Sequence, residues 1–220
     1  MIKITNKVAT DNVRKLLLNN FLNDTFTNKI NLLRGVYRDD DDKPYILESV
    51  KEAKKILINN NHEYLDSAGD KDYINHCNRF IFGENYNKNI ISLQSLSGTG
   101  ALHLGGKYLY DHFSKRIHIP NETWSNHEPI FKQIGFDVKK YPYYENNKLC
   151  INKLLNYLDN SNNELFLFHS CAHNPTGVDL NKNEWEDICD IVKKNNNLVF
   201  FDNAYQGFAT GDYNEDAYAP

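Results

Sequence analysis

The ten residues Leu198-Val199-Phe200-Phe201-Asp202-Asn203-Ala204-Tyr205-Gln206-Gly207 constrain this chain more than any other stretch. Four consecutive apolar residues leave no polar face. They predict a strand buried on both sides, as in a parallel sheet with helices over each face. Leu165-Phe166-Leu167-Phe168 predicts a second strand of that kind. In both runs polar residues begin where the strand would leave its sheet. A carboxylate there, Asp202, is costly to bury unless something cationic meets it. Ligands of open α/β sheets bind at the carboxyl ends of strands. A strand-end Asp also suits simple helix capping, so both readings stay open on these residues alone.

The rest of the chain alternates. Val13, Leu16, Leu17 and Phe21 recur at near-helical spacing within residues 11–22, and the acidic run Asp39 to Asp42 predicts a turn. Pro44 suits the first turn of a helix carrying Val50, Ala53 and Leu57 as a stripe. His62 to Gly69 predicts a loop. Asp70 then caps a helix with Tyr73, Ile74, Cys77, Phe80 and Ile81 on its inner face. Ile90 to Leu96 is a strand candidate, followed by a glycine-rich run and a helix with Leu102, Tyr108, Leu109 and Phe113 inward. Further strands are expected over 116–119 and 136–144. Further helices are expected over 128–134, ending at Gly135, around Ile151, Leu154, Leu155 and Leu158, and around Trp185, Ile188, Cys189 and Val192. Strands alternating with helices imply an α/β fold, a mostly parallel sheet flanked by helices.

Composition narrows the function classes. The 220 residues carry a formal charge of −4, which argues against a nucleic-acid footprint. No apolar run reaches the length of a membrane span, and Met1-Ile2-Lys3-Ile4-Thr5 lacks a secretory core. Cys77, Cys150, Cys171 and Cys189 are scattered, with no Cys-x-x-Cys. Together these features point to a reducing compartment, and the expectation is a cytoplasmic protein.

Three further segments carry chemistry. Ser97-Gly98-Thr99-Gly100-Ala101, between the expected strand and helix, lets backbone N–H groups approach a phosphate at a helix N-terminus, with two hydroxyls as donors. It lacks the Gly-Lys-[Ser/Thr] ending of a Walker loop, and a plain glycine-rich cap remains possible. In His169-Ser170-Cys171-Ala172-His173-Asn174-Pro175-Thr176-Gly177, three side chains could bind a soft metal, but no fourth ligand is evident. Alternatively, Asn174 donates its amide to a ligand oxygen and the histidines support it from behind. Trp124, past the strand at 116–119, could stack on a flat cofactor or merely cover the core. Asp202 with Tyr205 suits a cationic heteroaromatic ring bearing a phenolate-like oxygen, such as pyridoxal 5′-phosphate (PLP).

Together these runs resemble the aspartate aminotransferase family of fold-type I PLP enzymes. The resemblance rests on Ser97 to Leu102, Pro120 to His127, Ala172 to Asp179 and Phe201 to Gly207, in that order. It implies that Asp202 pairs with the pyridinium nitrogen, and that Tyr205 and Asn174 bond the ring oxygen. Trp124 would stack on the ring, Ser97, Gly98 and Thr99 would bind the phosphate, and His127 and His169 would steady Asp202. Gly35, Trp124 and Asn174 would face the substrate. Tyr64 would reach the phosphate of a neighbouring subunit, implying a homodimer with shared sites. Amino-acid and 2-oxoacid substrates follow from the same resemblance, with no nucleic-acid, membrane or metal partner.

The chain departs from the family pattern at Leu33 and Arg34, where small residues are usual. No lysine follows Lys194 and no arginine follows Arg116, so the Schiff-base lysine and the carboxylate-gripping arginines are absent. The expectation is therefore an N-terminal portion, inactive alone. Residues 1–44 would form an arm and part of a small domain, and 45–220 the large PLP-binding domain, incomplete at its C-terminus.

Overall fold

The computed structural model describes residues 12–31, 33, 35–87 and 89–220, with the backbone alone for 12–14. The chain divides into two units, Met1–Glu63 and Tyr64–Pro220. In the first, α1 spans Asn12–Asn23 and α2 spans Glu48–Leu57. The acidic run forms a turn closed by an antiparallel bridge between Arg38 and Pro44. Pro44 therefore lies outside α2, which starts four residues later at Glu48. The apolar stripe of α2 is not buried: Val50 and Leu57 are exposed.

The second unit contains α3 (Lys71–Phe82), α4 (Ser97–His112), β1 (Arg116–Pro120), α5 (His127–Ile134) and β2 (Asp137–Tyr141). A short antiparallel hairpin, β3 (Tyr144–Glu145) and β4 (Lys148–Leu149), precedes α6 (Ile151–Asp159). Then come β5 (Leu165–His169), α7 (Lys182–Lys194), β6 (Leu198–Asp202) and α8 (Tyr213–Asp216). The main sheet is parallel throughout, in the order β2-β1-β5-β6. The chain runs from β1 outward to β2, then returns to the other side of β1 with β5. That reversal places a crevice at the carboxyl ends of β1 and β5.

Local chemistry accounts for several boundaries. Asp70 caps α3 by accepting the N–H of Tyr73 at 2.8 Å. Gly135 stops α5 at φ +115°, a conformation that favours glycine. Asn181 and Glu184 close a reciprocal capping box at the start of α7. Two apolar layers sandwich the sheet. Leu102, Ile117, Ile119, Phe131 and Leu165 pack on one side, and Tyr141, Leu154, Leu158, Phe166 and Phe168 on the other.

Some expectations fail for physical reasons. β5 is buried along its whole length, but β6 is only half-buried, because it lies at the edge of the sheet and only one neighbour covers it. Ile90 to Leu96 is not a strand. Its backbone bonds run from Gln94 to Ala68 and from Ile90 to Asn87 rather than to a neighbouring strand, and Ile91 and Leu96 are each 90% exposed. The strand expected over 136–144 ends at Tyr141, where the hairpin takes over. Tyr73 and Phe80 of α3, Tyr108 of α4 and Phe113 just after it are exposed rather than inward. Leu102 is buried and Leu109 packs against the core, as expected. Cys189 faces out from α7.

α4 reaches the sheet only because it has glycines on its inner face. A Cβ on Gly105 would lie 2.9 Å from Phe200, and one on Gly106 would lie 3.0 Å from both Ile134 and Phe131. Gly106→Val is expected to cost about 1–3 kcal/mol by overpacking, measured by urea unfolding. Unchanged stability would show that α4 is not held at that distance.

Candidate active site

Parallel register brings His169 and Asp202 side by side as the last paired residues of β5 and β6. The segment after β1 supplies Thr123, Trp124 and His127. These groups form one continuous hydrogen-bonded path. His127 Nε2 lies 2.8 Å from Asp202 Oδ2, and His127 Nδ1 lies 2.7 Å from Thr123 Oγ1. Thr123 Oγ1 is 3.0 Å from His169 Nε2, and the backbone N–H of Asn174 donates to His169 Nδ1 at 3.5 Å.

The donor directions along this path follow from that last bond. An N–H facing Nδ1 of a neutral imidazole assigns the ring proton to Nε2. His169 then donates to Thr123, Thr123 donates to Nδ1 of His127, and His127 donates from Nε2 to the Asp202 carboxylate. Each link fixes the tautomer of the next. His169 must be neutral for this, and burial acts in that direction. His169 is pushed down to about 4, first by desolvation and then by His127, with Asp202 opposing. His127 is fully buried, while the side chain of Asp202 keeps 16% exposure.

That exposure opens onto a cavity lined by Ser97, Gly98, Thr99, Trp124, His169, Asn174, Asp202 and Tyr205, with Leu102 and Ala204. Ser97 to Ala101 is not a linker before α4: it is the helix's own first turn, entered with Ser97 at φ +60°. Leu96 offers no side-chain cap, so the orphan N–H groups of that turn are available to an anion. A Cβ on Gly98 would meet nothing within 4 Å. Trp124 forms a wall, set edge-on to His127 with ring centroids 5.4 Å apart. Asn174 Nδ2 donates to the Tyr205 hydroxyl at 3.4 Å.

Seven of the expected ligand contacts thus share one cavity: Ser97, Gly98, Thr99, Trp124, Asn174, Asp202 and Tyr205. His127 and His169 stand behind or beside Asp202. Tyr64 is 97% exposed and lies outside this lining. Gly35 belongs to the other unit, and Arg34 lies outside the described residues. Thr123 was missed by sequence reasoning. Its position four residues before His127, ahead of a helix, was the available signal. The soft-ligand set is otherwise engaged, since His169 bonds Thr123 and His173 Nδ1 lies 2.8 Å from Thr176 Oγ1. Among the described residues no cluster of three His, Cys, Asp or Glu side chains could hold a metal ion.

A parallel α/β sheet with a helix-start anion cradle facing a strand-end carboxylate defines a class of ligand-binding domain. This chain belongs to the family described as aminotransferase class I and II, whose profile matches residues 27–219. It is 42% identical over 202 residues to the cytoplasmic aspartate aminotransferase of Saccharomyces cerevisiae, covering 87% of this chain and 48% of the yeast protein. The solved structure of the aspartate aminotransferase from Saccharomyces cerevisiae cytoplasm matches with a TM-score of 0.86 at 40% identity, covering 93% of this chain and 52% of that one. An aromatic amino acid aminotransferase from Burkholderia cenocepacia J2315 matches with a TM-score of 0.88 at 33% identity, covering 93% and 54%. The fold is that of fold-type I aminotransferases. The chain spans about half the length of the curated relatives it matches.

Proposed function

We propose that this chain forms the PLP-binding part of an aspartate aminotransferase. The whole enzyme would exchange an amino group between L-aspartate and 2-oxoglutarate, giving oxaloacetate and glutamate. One observation carries the reading: an uncapped helix start, an indole, an Asn–Tyr pair and a carboxylate line the same cavity. These groups suit a ring with a phosphate at one end and a basic nitrogen at the other. When bound, the cofactor supplies an electron sink for bonds at the substrate's α-carbon.

The chain's residues would then act as follows. Ser97, Gly98 and Thr99 hold the phosphate with backbone N–H groups, hydroxyls and the dipole of α4. Asp202 would accept a hydrogen bond from the ring N–H and so keep the proton on the nitrogen. His127, held in its tautomer by Thr123, donates to the other side of that carboxylate and keeps it oriented. Asn174 and Tyr205 offer donors to the ring oxygen, and Trp124 covers one ring face and excludes water.

A homodimer with shared sites belongs to the same proposal, with Tyr64 reaching a neighbouring subunit's phosphate and Gly35 closing over substrate. So does a cytoplasmic location, supported by the name of the yeast relative, although other curated matches are named mitochondrial. An aromatic substrate is the second reading, favoured by the likeness to the Burkholderia enzyme. No lysine or arginine lines the cavity among the described residues, so substrate carboxylates are not assigned a partner on this chain. Binding is proposed for the 220 residues, and turnover only for a protein that also carries a Schiff-base lysine.

Calorimetric titration tests the binding. Pyridoxine 5′-phosphate, which cannot form an imine, is expected to bind one per chain and at least about tenfold more tightly than pyridoxine. Equal affinity for the two, or no heat with either, would overturn the proposal.

A further inference from the structure

The far end of the hydrogen-bonded path rests on a turn that the proposed chemistry leaves unexplained. After Ser170 bonds the carbonyl of Asp202 at 3.2 Å, the chain leaves β5. Ala172 takes φ +46°, a left-handed conformation that non-glycine residues rarely adopt. Such a turn aims successive N–H groups to one side, forming a nest for an anion. Asp179 is that anion: Oδ2 accepts from Ala172 N–H at 2.7 Å, and Oδ1 accepts from His173 N–H at 2.8 Å.

The turn is braced further from the same end. Gly177 N–H donates to the carbonyl of His173 at 2.7 Å. Val178 N–H donates to Thr176 Oγ1 at 3.2 Å, and the same oxygen lies 2.8 Å from His173 Nδ1. His173 is sandwiched between Tyr143 (centroids 4.0 Å apart, interplanar angle 12°) and His169 (4.3 Å).

On the cavity side the bonds are long. Asn174 N–H reaches His169 Nδ1 at 3.5 Å, and Asn174 Nδ2 reaches Tyr205 at 3.4 Å. Hydrogen bonds at that length are lost on a displacement of a few tenths of an ångström. The short, charge-assisted pair at Asp179 therefore sets where the turn sits, and the long pair follows it.

We infer that Asp179 is a positioning residue, whose carboxylate holds the turn so that Asn174 fixes the tautomer of His169 and, through Thr123 and His127, the donor that meets Asp202. Without it, Asn174 N–H withdraws from Nδ1 and the proton of His169 is free to occupy either nitrogen. Thr123 then has no fixed donor behind it, and neither does His127. The groups facing His169 are Thr123 at Nε2, His127 and Asp202 beyond it, His173 beneath, and Asn174 from the turn. The consequence for a bound ring rests on the function proposed above, whereas the state of His169 in the ligand-free protein does not.

Imidazole 15N NMR of the ligand-free 220-residue chain reads that state directly. The unsubstituted chain is expected to show His169 as the Nε2–H tautomer. Asp179→Ala is expected to give a mixture of tautomers, and a protonation midpoint for His169 raised by about one pH unit as the ring loosens. Asp179→Asn keeps one acceptor, should fall between the two, and serves if the alanine variant does not fold. Leu158→Ala, at a fully buried position in α6 outside the turn, should lower stability and leave the His169 signals unchanged. The inference is overturned if both Asp179 variants retain the original tautomer and midpoint, or if Leu158→Ala reproduces their change.

Discussion

Replacing Asp202 by alanine is expected to weaken binding of pyridoxine 5′-phosphate about a hundredfold, a loss of about 3 kcal/mol. The magnitude follows from the charge-assisted bond to the ring nitrogen, since hydrogen bonds to charged groups contribute about 1.5–3 kcal/mol. The Nε2–H of His127, fully buried, also loses its acceptor on the path, which lowers the stability of the free and bound chain alike. Asp202→Asn separates the two. Its amide oxygen still accepts from His127, so the path survives, while its NH2 group can only donate to an unprotonated ring nitrogen. The asparagine variant should therefore bind more tightly than the alanine variant and hold the ring in its neutral form, visible in the ligand's ultraviolet spectrum. If both variants bind as tightly as the original chain, Asp202 is not the nitrogen's partner.

What the sequence disclosed here follows from what is local. The cap at Asp70 and the stop at Gly135 each depend on a few neighbouring residues, and the structure has both. Burial of β6 depends instead on how many strands flank it, which four apolar residues cannot report. The same holds for Ile90 to Leu96. An apolar pattern states that a segment gains from being covered, but not what covers it. At the site, Asp202, Asn174 and Ser97 were legible because each sits at a strand end or helix start with distinctive neighbours. Thr123 and Asp179 were not, because their roles are defined by distance in space. Thr123 bridges His127 to a second histidine, His169, that lies 46 residues after Thr123 itself, and Asp179 closes a turn whose left-handed residue is an alanine.

Acid should destabilise this protein through its buried histidines. The protein is expected to lose about 3 kcal/mol of unfolding free energy between pH 6.5 and 4 through His169 alone. The sign follows from which state binds protons. His169 is lowered to about 4 in the folded chain by burial and by His127, against 6.5 when exposed. Between those values the unfolded chain binds a proton that the folded chain refuses, so stability is fully present above 6.5 and declines as the pH falls through the window. His173, lowered to about 3 by burial and then by His169, extends the decline below pH 4. The two effects do not add in full, because each ring contributes to the other's displacement. Urea unfolding at pH 7.5, 6, 5 and 4.5 measures the slope. His173→Phe, which preserves the stack on Tyr143 but cannot take a proton, should flatten it. A profile level between pH 6.5 and 4.5 would show that these rings are not held neutral. The same neutrality gives the path its direction. A protonated His169 has no lone pair for Asn174 N–H, so the turn and the Asp202 end of the path would come apart together. Keeping two adjacent imidazoles dry costs stability in acid, and in return the carboxylate in the cavity faces a donor of fixed orientation.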